Sequence, residues 1–507
     1  MEKYSAVIDM GSNSVRLVIY YEAEEGAWYE VDNIKNTIRL SSFLTEQNEI
    51  TEQGITEVLR VLYQYRQLCT ARSVSSITGV ATAAVRNASN RQAVLQRIEE
   101  ATGFTFRVLS GEEEAYYGYL AVINTMNVSE GFTIDIGGAS SELVRFSERK
   151  LVASHSFPFG AVTLTRQFFR SGTPTDAELL TLEKYLQEQF AAYPWAKQEG
   201  YALIGMGGTA RNVAKIQQKL IRYPFASLHH YQLKKYQVDG VFHYLKERSH
   251  VQMQGVEGLS KERADIIIAG TLIIKVLLEH IGSTCFLISD KGLRDGVYME
   301  SQLQARSSEV VEDVIEEGVQ ALMINYKVNR SHARHVDRLC RTMFMQLSQE
   351  ALHSYGSEEL RLLSVAARLH DIGRTINLGE WQQHTFYLMV HVVLPGLTHR
   401  QRLLAALLAS YKSAKRMQQL AATYESMLSE ADLQLVEQLG LLLLMSRALD
   451  RTESQQVASI TFIRKDGAVI LRCRGRIDEH SLEAQTLDEY RKKFKKQFGL
   501  PLRIEWL

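Results

Sequence analysis

One ten-residue pattern occurs twice in the chain: Asp9-Met-Gly-Ser-Asn-Ser14-Val-Arg-Leu17-Val18 returns as Asp135-Ile-Gly-Gly-Ala-Ser140-Ser-Glu-Leu143-Val144, with Asp, Gly, Ser, Leu and Val at matching places. Each copy reads as a strand, a tight glycine turn and a second strand, so each is a β-hairpin. The turn of such a hairpin exposes backbone N–H groups, which make a concave seat for an anion. A fold that uses this unit twice has two related lobes. Two such turns facing one another would grip a phosphate chain from both sides.

Around the hairpins, short β-rich runs alternate with longer helical patterns as far as about residue 300, the signature of an α/β architecture. Strands are expected at residues 5–9, 15–20, 104–109, 131–136, 142–146, 201–205 and 284–289. Helical periodicity covers 51–71, 91–102, 112–125, 176–193, 208–219 and 261–280. From about residue 305 to about residue 450 the pattern is almost wholly helical. Strands return at 460–464 and 468–476, followed by a helix at 483–498 and a last strand at 502–506. A chain of 507 residues exceeds what one core supports. Four domains are expected: a first lobe at 1–128, a second lobe at 129–305, a helical domain at 306–453 and a small α/β domain at 454–507.

The 58 basic and 58 acidic residues cancel, so no global field marks the chain as a binder of nucleic acid or anionic membrane, and any anion site must be local. Cys69, Cys285, Cys340 and Cys473 are far apart, with no C-x-x-C pair, which argues against a zinc ribbon or a disulfide framework and for a reducing cytoplasm. The N-terminus enters a strand-like run at once, without a signal-peptide pattern, and no apolar stretch is long enough to span a membrane.

Five ordered segments carry a resemblance: Asp9-Met-Gly-Ser-Asn-Ser14, Ser110-Gly-Glu-Glu-Glu-Ala115, Asp135-Ile-Gly-Gly-Ala-Ser140-Ser-Glu142, Gly205-Met-Gly-Gly-Thr-Ala210 and Ser289-Asp-Lys-Gly-Leu-Arg-Asp-Gly296. Together they resemble the exopolyphosphatase and guanosine pentaphosphate phosphatase family. The resemblance implies a two-lobed actin-like, sugar-kinase-like (ribonuclease H-like) fold with its active site in the cleft between the lobes. It also implies Glu114 as the base that deprotonates the attacking water. Asp135 and Glu142 become ligands of Mg²⁺, with Asp9 as the matching carboxylate of the other lobe; all are hard oxygen donors of the kind that ion takes. Phosphate cradling falls to Ser12, Asn13 and Ser14 in one lobe and Gly137, Gly138, Ala139 and Ser140 in the other. The family usually has glycine where Ala139 stands, and a positive φ there would be costly for alanine. Arg39 and Arg86 are similar to family arginines that hold phosphate oxygens, and Arg294 belongs to the same set. Gly207, Gly208 and Thr209 open a helix whose N-terminus suits an anion. Glu112 and Glu113, by contrast, read as complements to a helix dipole.

The helical domain carries a second pattern. His332, then the adjacent pair His370 and Asp371, then Asp450 resemble the HD metal-dependent phosphohydrolase set, and His384 resembles an additional family histidine. The resemblance implies an all-α HD-like domain with a pocket for a transition metal or Mg²⁺. In long-form relatives that pocket is commonly incomplete.

The expected function is Mg²⁺-dependent release of terminal phosphates from inorganic polyphosphate. The alternative substrate in the same site is guanosine pentaphosphate. A nonenzymatic phosphate or nucleotide sensor and a sugar kinase are rivals by fold; intact Glu114, Asp135 and Glu142 argue against the sensor. A homodimer is suggested by the family resemblance alone. The tail from Ser454 has eleven Lys or Arg and seven Asp or Glu, a local charge of +4. Period-two alternation puts Arg472, Arg474 and Arg476 on one strand face and Val469, Leu471 and Cys473 on the other. That arrangement predicts a basic ladder for long polyphosphate.

Overall fold

Each repeated hairpin begins a sheet. The computed structural model describes residues 3–23, 27–170 and 173–507. Its first sheet has the order β3-β2-β1-β4-β5, built from β1 (Lys3–Met10), β2 (Ser14–Glu22), β3 (Trp28–Thr37), β4 (Ser76–Ala81) and β5 (Phe106–Val108). The second sheet contains β6 (Gly131–Ile136), β7 (Ser141–Ser147), β8 (Lys150–Phe157), β9 (Leu203–Met206), β10 (Gln232–Lys234) and β11 (Cys285–Ile288), in the order β10-β11-β9-β6-β7-β8. In both, three antiparallel strands are followed by parallel neighbours: β4 beside β1 in one, β9 beside β6 in the other. The hairpin registers coincide. Asp9 lies opposite Arg16 and Asp135 opposite Glu142. The two related lobes expected from the repeat are present, in the actin-like architecture that the resemblance implies.

Two helices cross between the lobes and position the site. The helix Gly111–Ile123 follows the first sheet in sequence, yet its Ala115, Tyr119, Leu120, Val122 and Ile123 pack with Val144, Phe146 and Ile204 of the second. The helix Leu293–Ala305 returns the other way, with Val297 and Tyr298 packed among Val7, Val18 and Val80 of the first. The two helices approach closely at Gly296, where an added Cβ would stand 2.0 Å from the Tyr117 carbonyl oxygen. A larger residue there would push the helices apart.

The chain divides into two compact units, Met1–Val314 and Ile315–Leu507. The segment after the helix Leu293–Ala305 stays with the first unit, because Arg149 bonds the Val311 and Glu312 carbonyls and Asn124 accepts the Val311 N–H. In the second unit the helices Arg330–Gln349, Ser357–Leu369, His399–Ala409 and Glu430–Ala448 carry the apolar interior. They are followed by a sheet of β12 (Val457–Lys465), β13 (Ala468–Gly475) and β14 (Leu502–Trp506), in that order. Gln346 ties helix to sheet by accepting the Phe462 N–H at 2.7 Å.

The tail departs from expectation in two ways. The helix expected over 483–498 is two helices, Leu482–Asp488 and Arg491–Phe498. The basic ladder is shorter than alternation suggests: Val469, Leu471 and Cys473 are buried as expected, but Arg472 is paired with Glu505 at 2.7 Å and Arg476 lies beyond the strand. The Glu505 pairing follows from β14 running alongside β13 with Glu505 in register with Arg472. No described helix is long and apolar enough to cross a membrane.

Candidate active site

The turns of the two hairpins are built alike. In the first, Gly11 N–H bonds the Ser14 carbonyl at 3.0 Å; in the second, Gly137 N–H bonds the Ser140 carbonyl at 2.9 Å. Their other carbonyls are held back. Ser12 and Asn13 carbonyls accept from Ser41, Ile38 and Arg39 N–H, while Gly137 and Gly138 carbonyls accept from Ala161, Val162 and Thr163 at the start of a helix. Among the described residues no protein acceptor receives the N–H groups of Ser12, Asn13, Gly138, Ala139 or Ser140. The turns also meet: a Cβ on Gly138 would lie 4.0 Å from the Ser12 Cβ. Ala139 is not in the left-handed region, so alanine fits this turn without the backbone strain that a positive φ would have imposed.

Acidic side chains converge behind the turns. Gly111 abuts Ser156 of β8, so the helix Gly111–Ile123 starts against the strand that pairs with Glu142. Ser156 donates to Glu142 Oε1 at 3.0 Å. Burial pushes the Glu142 carboxyl up to about 8, helped by repulsion from Glu114 and Asp135. Burial likewise lifts Glu114 to about 7, against the pull of Arg86, whose guanidinium bonds the Glu114 carboxylate and the Leu109 carbonyl. Asp135 is raised by desolvation although Arg211, Arg294 and Arg263 pull it down. Glu113 forms a capping box with Ser110, while Glu112 is exposed, so neither joins this group.

Asp9 is held by Arg294 at 2.7 Å, which brings together two of the expected residues from opposite ends of the first unit. Gly207 has φ of 71°, and a Cβ on it would overlap Asp135 Oδ1, so only glycine lets the carboxylate sit at this helix start. The helix Gly207–Leu220 has no side-chain cap, which leaves its first N–H groups, those of Gly207, Gly208 and Thr209, without intrahelical acceptors. Thr209 itself is buried against Gly270. Arg39 is exposed, and its contact with the first turn is through its backbone N–H to the Asn13 carbonyl at 2.8 Å.

Sequence reasoning passed over Arg16, Arg211 and Arg263. Burial and repulsion from Arg294 and Arg211 lower Arg16 to about 10, and Arg211 and Arg263 are lowered for the same kind of reason. Crowded guanidiniums of this sort remain charged and seek an anion. One signal was available for Arg16: within the repeat it occupies the place of Glu142.

In the second unit His332, His370 and Asp371 bring ligand-type atoms within 4.8 Å of one another. Asp450 stands one layer behind, 2.7 Å from His332 Nδ1. His384 lies on the helix Trp381–His391, outside that group of three.

Comparison with known proteins gives the family and the fold of this chain. The chain is 26% identical over 407 residues to a guanosine-5'-triphosphate,3'-diphosphate pyrophosphatase of Vibrio vulnificus (strain YJ016), covering 79% of this chain and 78% of that one. A protein of the same name from Photobacterium profundum is 26% identical over 416 residues, with 80% of each chain covered. Among solved structures, the Aquifex aeolicus Ppx/GppA family member aligns with a TM-score of 0.55 and 29% identity, over 60% of this chain and 99% of that one. An exopolyphosphatase from Cytophaga hutchinsonii shares the fold at 22% identity and a TM-score of 0.55, over 59% of this chain and 98% of that one. Residues 18–305 match the Ppx/GppA phosphatase family, and residues 314–491 match Ppx/GppA phosphatase, domain III. Paired glycine turns with open N–H groups are thus found in a chain that matches one family across both of its units, and the chain belongs to the Ppx/GppA phosphatases, a family of phosphoanhydride hydrolases.

Proposed function

We propose that the cleft of the first unit releases terminal phosphates from inorganic polyphosphate. The observation that carries this is the pairing of a near-neutral Glu114 with two opposed turns whose N–H groups are free and whose flank is lined by arginines. The free N–H groups of Ser12, Asn13, Gly138, Ala139 and Ser140 would bond phosphate oxygens from both sides. Ser14 and the start of the helix Gly207–Leu220 would extend the seat. Arg16, Arg211, Arg263 and Arg294 would neutralise the following phosphates, which favours an extended polyanion.

Cleavage of a phosphoanhydride by water needs a positioned nucleophile and neutralised oxygens, with no covalent bond to the protein. Glu114, oriented by Arg86, would accept the proton of the attacking water at its carboxylate, and a pKa near neutrality suits a general base. Asp135 and Glu142 fit a divalent cation such as Mg²⁺: they are oxygen donors set opposite each other in the hairpin, and Asp135 repels the buried Glu142 until a cation relieves the pair. When bound there, such an ion supplies charge neutralisation to the phosphate oxygens. Asp9, already held by Arg294, would act through water. A cytoplasmic setting accords with four free cysteines.

A second reading, hydrolysis of guanosine pentaphosphate in the same site, is supported by the names of the Vibrio and Photobacterium relatives. The two are separated by kcat/KM for phosphate release from each substrate on the full-length protein. A higher value on polyphosphate is expected; a higher value on guanosine pentaphosphate replaces the first reading with the second, and hydrolysis of neither would make the cleft a sensor.

A further inference from the structure

The edge strand β3 meets the second lobe with polar residues. Asn33, Lys35 and Thr37 alternate along it and so share one face, and Lys35 stands in register opposite Arg16 of β2. Arg16, itself opposite Asp9, therefore lies on the same face. Two cations set directly across an antiparallel pair repel one another, so this rim calls for acceptors. Arg16 has one within its own lobe: its Nε donates to Asn33 Oδ1, and Asn33 Nδ2 donates to Glu30 Oε1 at 2.7 Å. Lys35 has its acceptor in the other lobe. Its ammonium pairs with Glu262 Oε1, and Thr37 Oγ1 donates to Glu262 Oε2 at 3.3 Å. Both oxygens of one carboxylate from the second lobe are thus held by a single strand of the first.

Glu262 shares the short turn Lys261–Arg263 with an arginine of the cleft. The Arg263 guanidinium lies over the start of the helix Gly207–Leu220, where a Cβ on Gly208 would stand 2.0 Å from its Nη2. Burial and repulsion from Arg211 act against its charge, while Glu262 and Asp135 support it. Among the described residues no acceptor takes a hydrogen bond from this side chain, so its place is set by the backbone that carries it. That backbone is pinned at two points. Ser260 N–H and Oγ donate to Asn212 Oδ1 at 2.7 and 3.0 Å, and Asn212 Nδ2 donates to the Gly208 carbonyl at 2.7 Å, which ties the turn to the helix. Glu262 is the second point, and it ties the turn to the opposite wall. Without that tie, Arg211 would push Arg263 away from the helix start.

We infer that Glu262 is a positioning residue for hydrolysis in the cleft: by bridging to Lys35 and Thr37 across the lobes, it holds Arg263 over the start of the helix Gly207–Leu220, where the guanidinium meets a phosphate behind the one released. The inference rests on the reading of this cleft as the hydrolytic site. A partly exposed ion pair of this kind adds little to stability, so its loss is read in substrate binding rather than in folding.

Glu262→Ala gives a test in which the sign is diagnostic. Deleting a carboxylate beside a polyanion site should, by charge alone, tighten binding and lower KM; releasing a positioned arginine should raise it. On the full-length protein with polyphosphate, KM is expected to rise about 5-fold at nearly constant kcat, because a contact made alike in the ground and transition states acts on binding. Arg263→Gln should raise KM by ~10–100-fold. Adding Glu262→Ala to it should give no further rise, since the carboxylate then has no arginine to place. Lys35→Arg, which keeps the ion pair, should not reproduce the Glu262→Ala effect. An unchanged or lowered KM in Glu262→Ala overturns the inference, as does a full additional rise in the double variant. Glu114→Gln, measured alongside, keeps the two readings apart. If it hydrolyses as fast as the wild type, the cleft is not the site and the inference falls with it; if it is inactive while Glu262→Ala has a lowered KM, the positioning role alone is removed.

Discussion

Replacing Gly207 with alanine probes the seat of Asp135 directly. Gly207 has φ of 71°, and a Cβ there would lie 2.2 Å from Asp135 Oδ1. Alanine in left-handed backbone loses about 1–2 kcal/mol, a cost to stability alone. The overlap adds a second effect, because the carboxylate must retreat by roughly 1 Å, and misplacement on that scale in a positioned site costs ~10²-fold in rate. Gly103 separates the two, since its φ is also 71° but nothing lies within 4 Å of a Cβ there. Thermal melts and phosphate release titrated with divalent ion would be measured for both variants. Similar losses of Tm are expected, with turnover reduced ~10²-fold and the ion requirement raised only in Gly207→Ala. If the two variants keep equal activity, Asp135 is not a positioned group and the assignment of the hairpin carboxylates fails.

Glu114→Gln should lower kcat by ~10²–10⁴-fold with little change in polyphosphate affinity, since a lost base acts on the transition state. In the wild type, Glu114 is increasingly protonated as pH falls through about 7, so kcat/KM should drop on the acid side with a limb that the variant lacks; a pH–rate profile identical in both would remove Glu114 from the reaction. In the tail, Arg474 is exposed on its strand and Arg476 just beyond it, while Arg472 is spoken for by Glu505. Arg474→Gln with Arg476→Gln should therefore weaken binding of long polyphosphate and flatten its salt dependence, whereas equal losses on long and short chains would show that the tail only supports the fold.

The parts of the fold that were legible in the sequence are those where chemistry and periodicity coincide. The strand Gly131–Ile136 and the helix Arg91–Thr102 have the bounds that their patterns predict, and the repeat correctly implies two related sheets. The strands Trp28–Thr37 and Lys150–Phe157 carry no clear pattern because each is the edge of its sheet, where few side chains are buried and alternation fades. Ser76–Ala81 lies between two strands but is short and broken by Gly79, where a Cβ would stand 2.2 Å from the Thr105 carbonyl oxygen. In the cleft, the acidic residues and turns stand out as motifs, whereas Arg211 sits one place past the motif that ends at Ala210 and Arg263 lies in a short 3-10 turn with no pattern of its own. Which imidazole nitrogens of His332 and His370 are committed to Asp450 and Ala367 depends on hydrogen bonds that only the folded unit contains.

The two hairpins share a plan but differ at one decisive place: opposite its aspartate, the first has Arg16 and the second Glu142. Two identical copies related by a two-fold axis would have to carry the same residue at both places. Such a symmetric ancestor would set either two cations or two acids across the cleft, good for attracting an anion or for holding a metal, but not for both. Joining the copies in one polypeptide lets each half mutate without changing the other. Covalent fusion, and the divergence it permits, is what turns a duplicated binding unit into a cleft with two unlike walls.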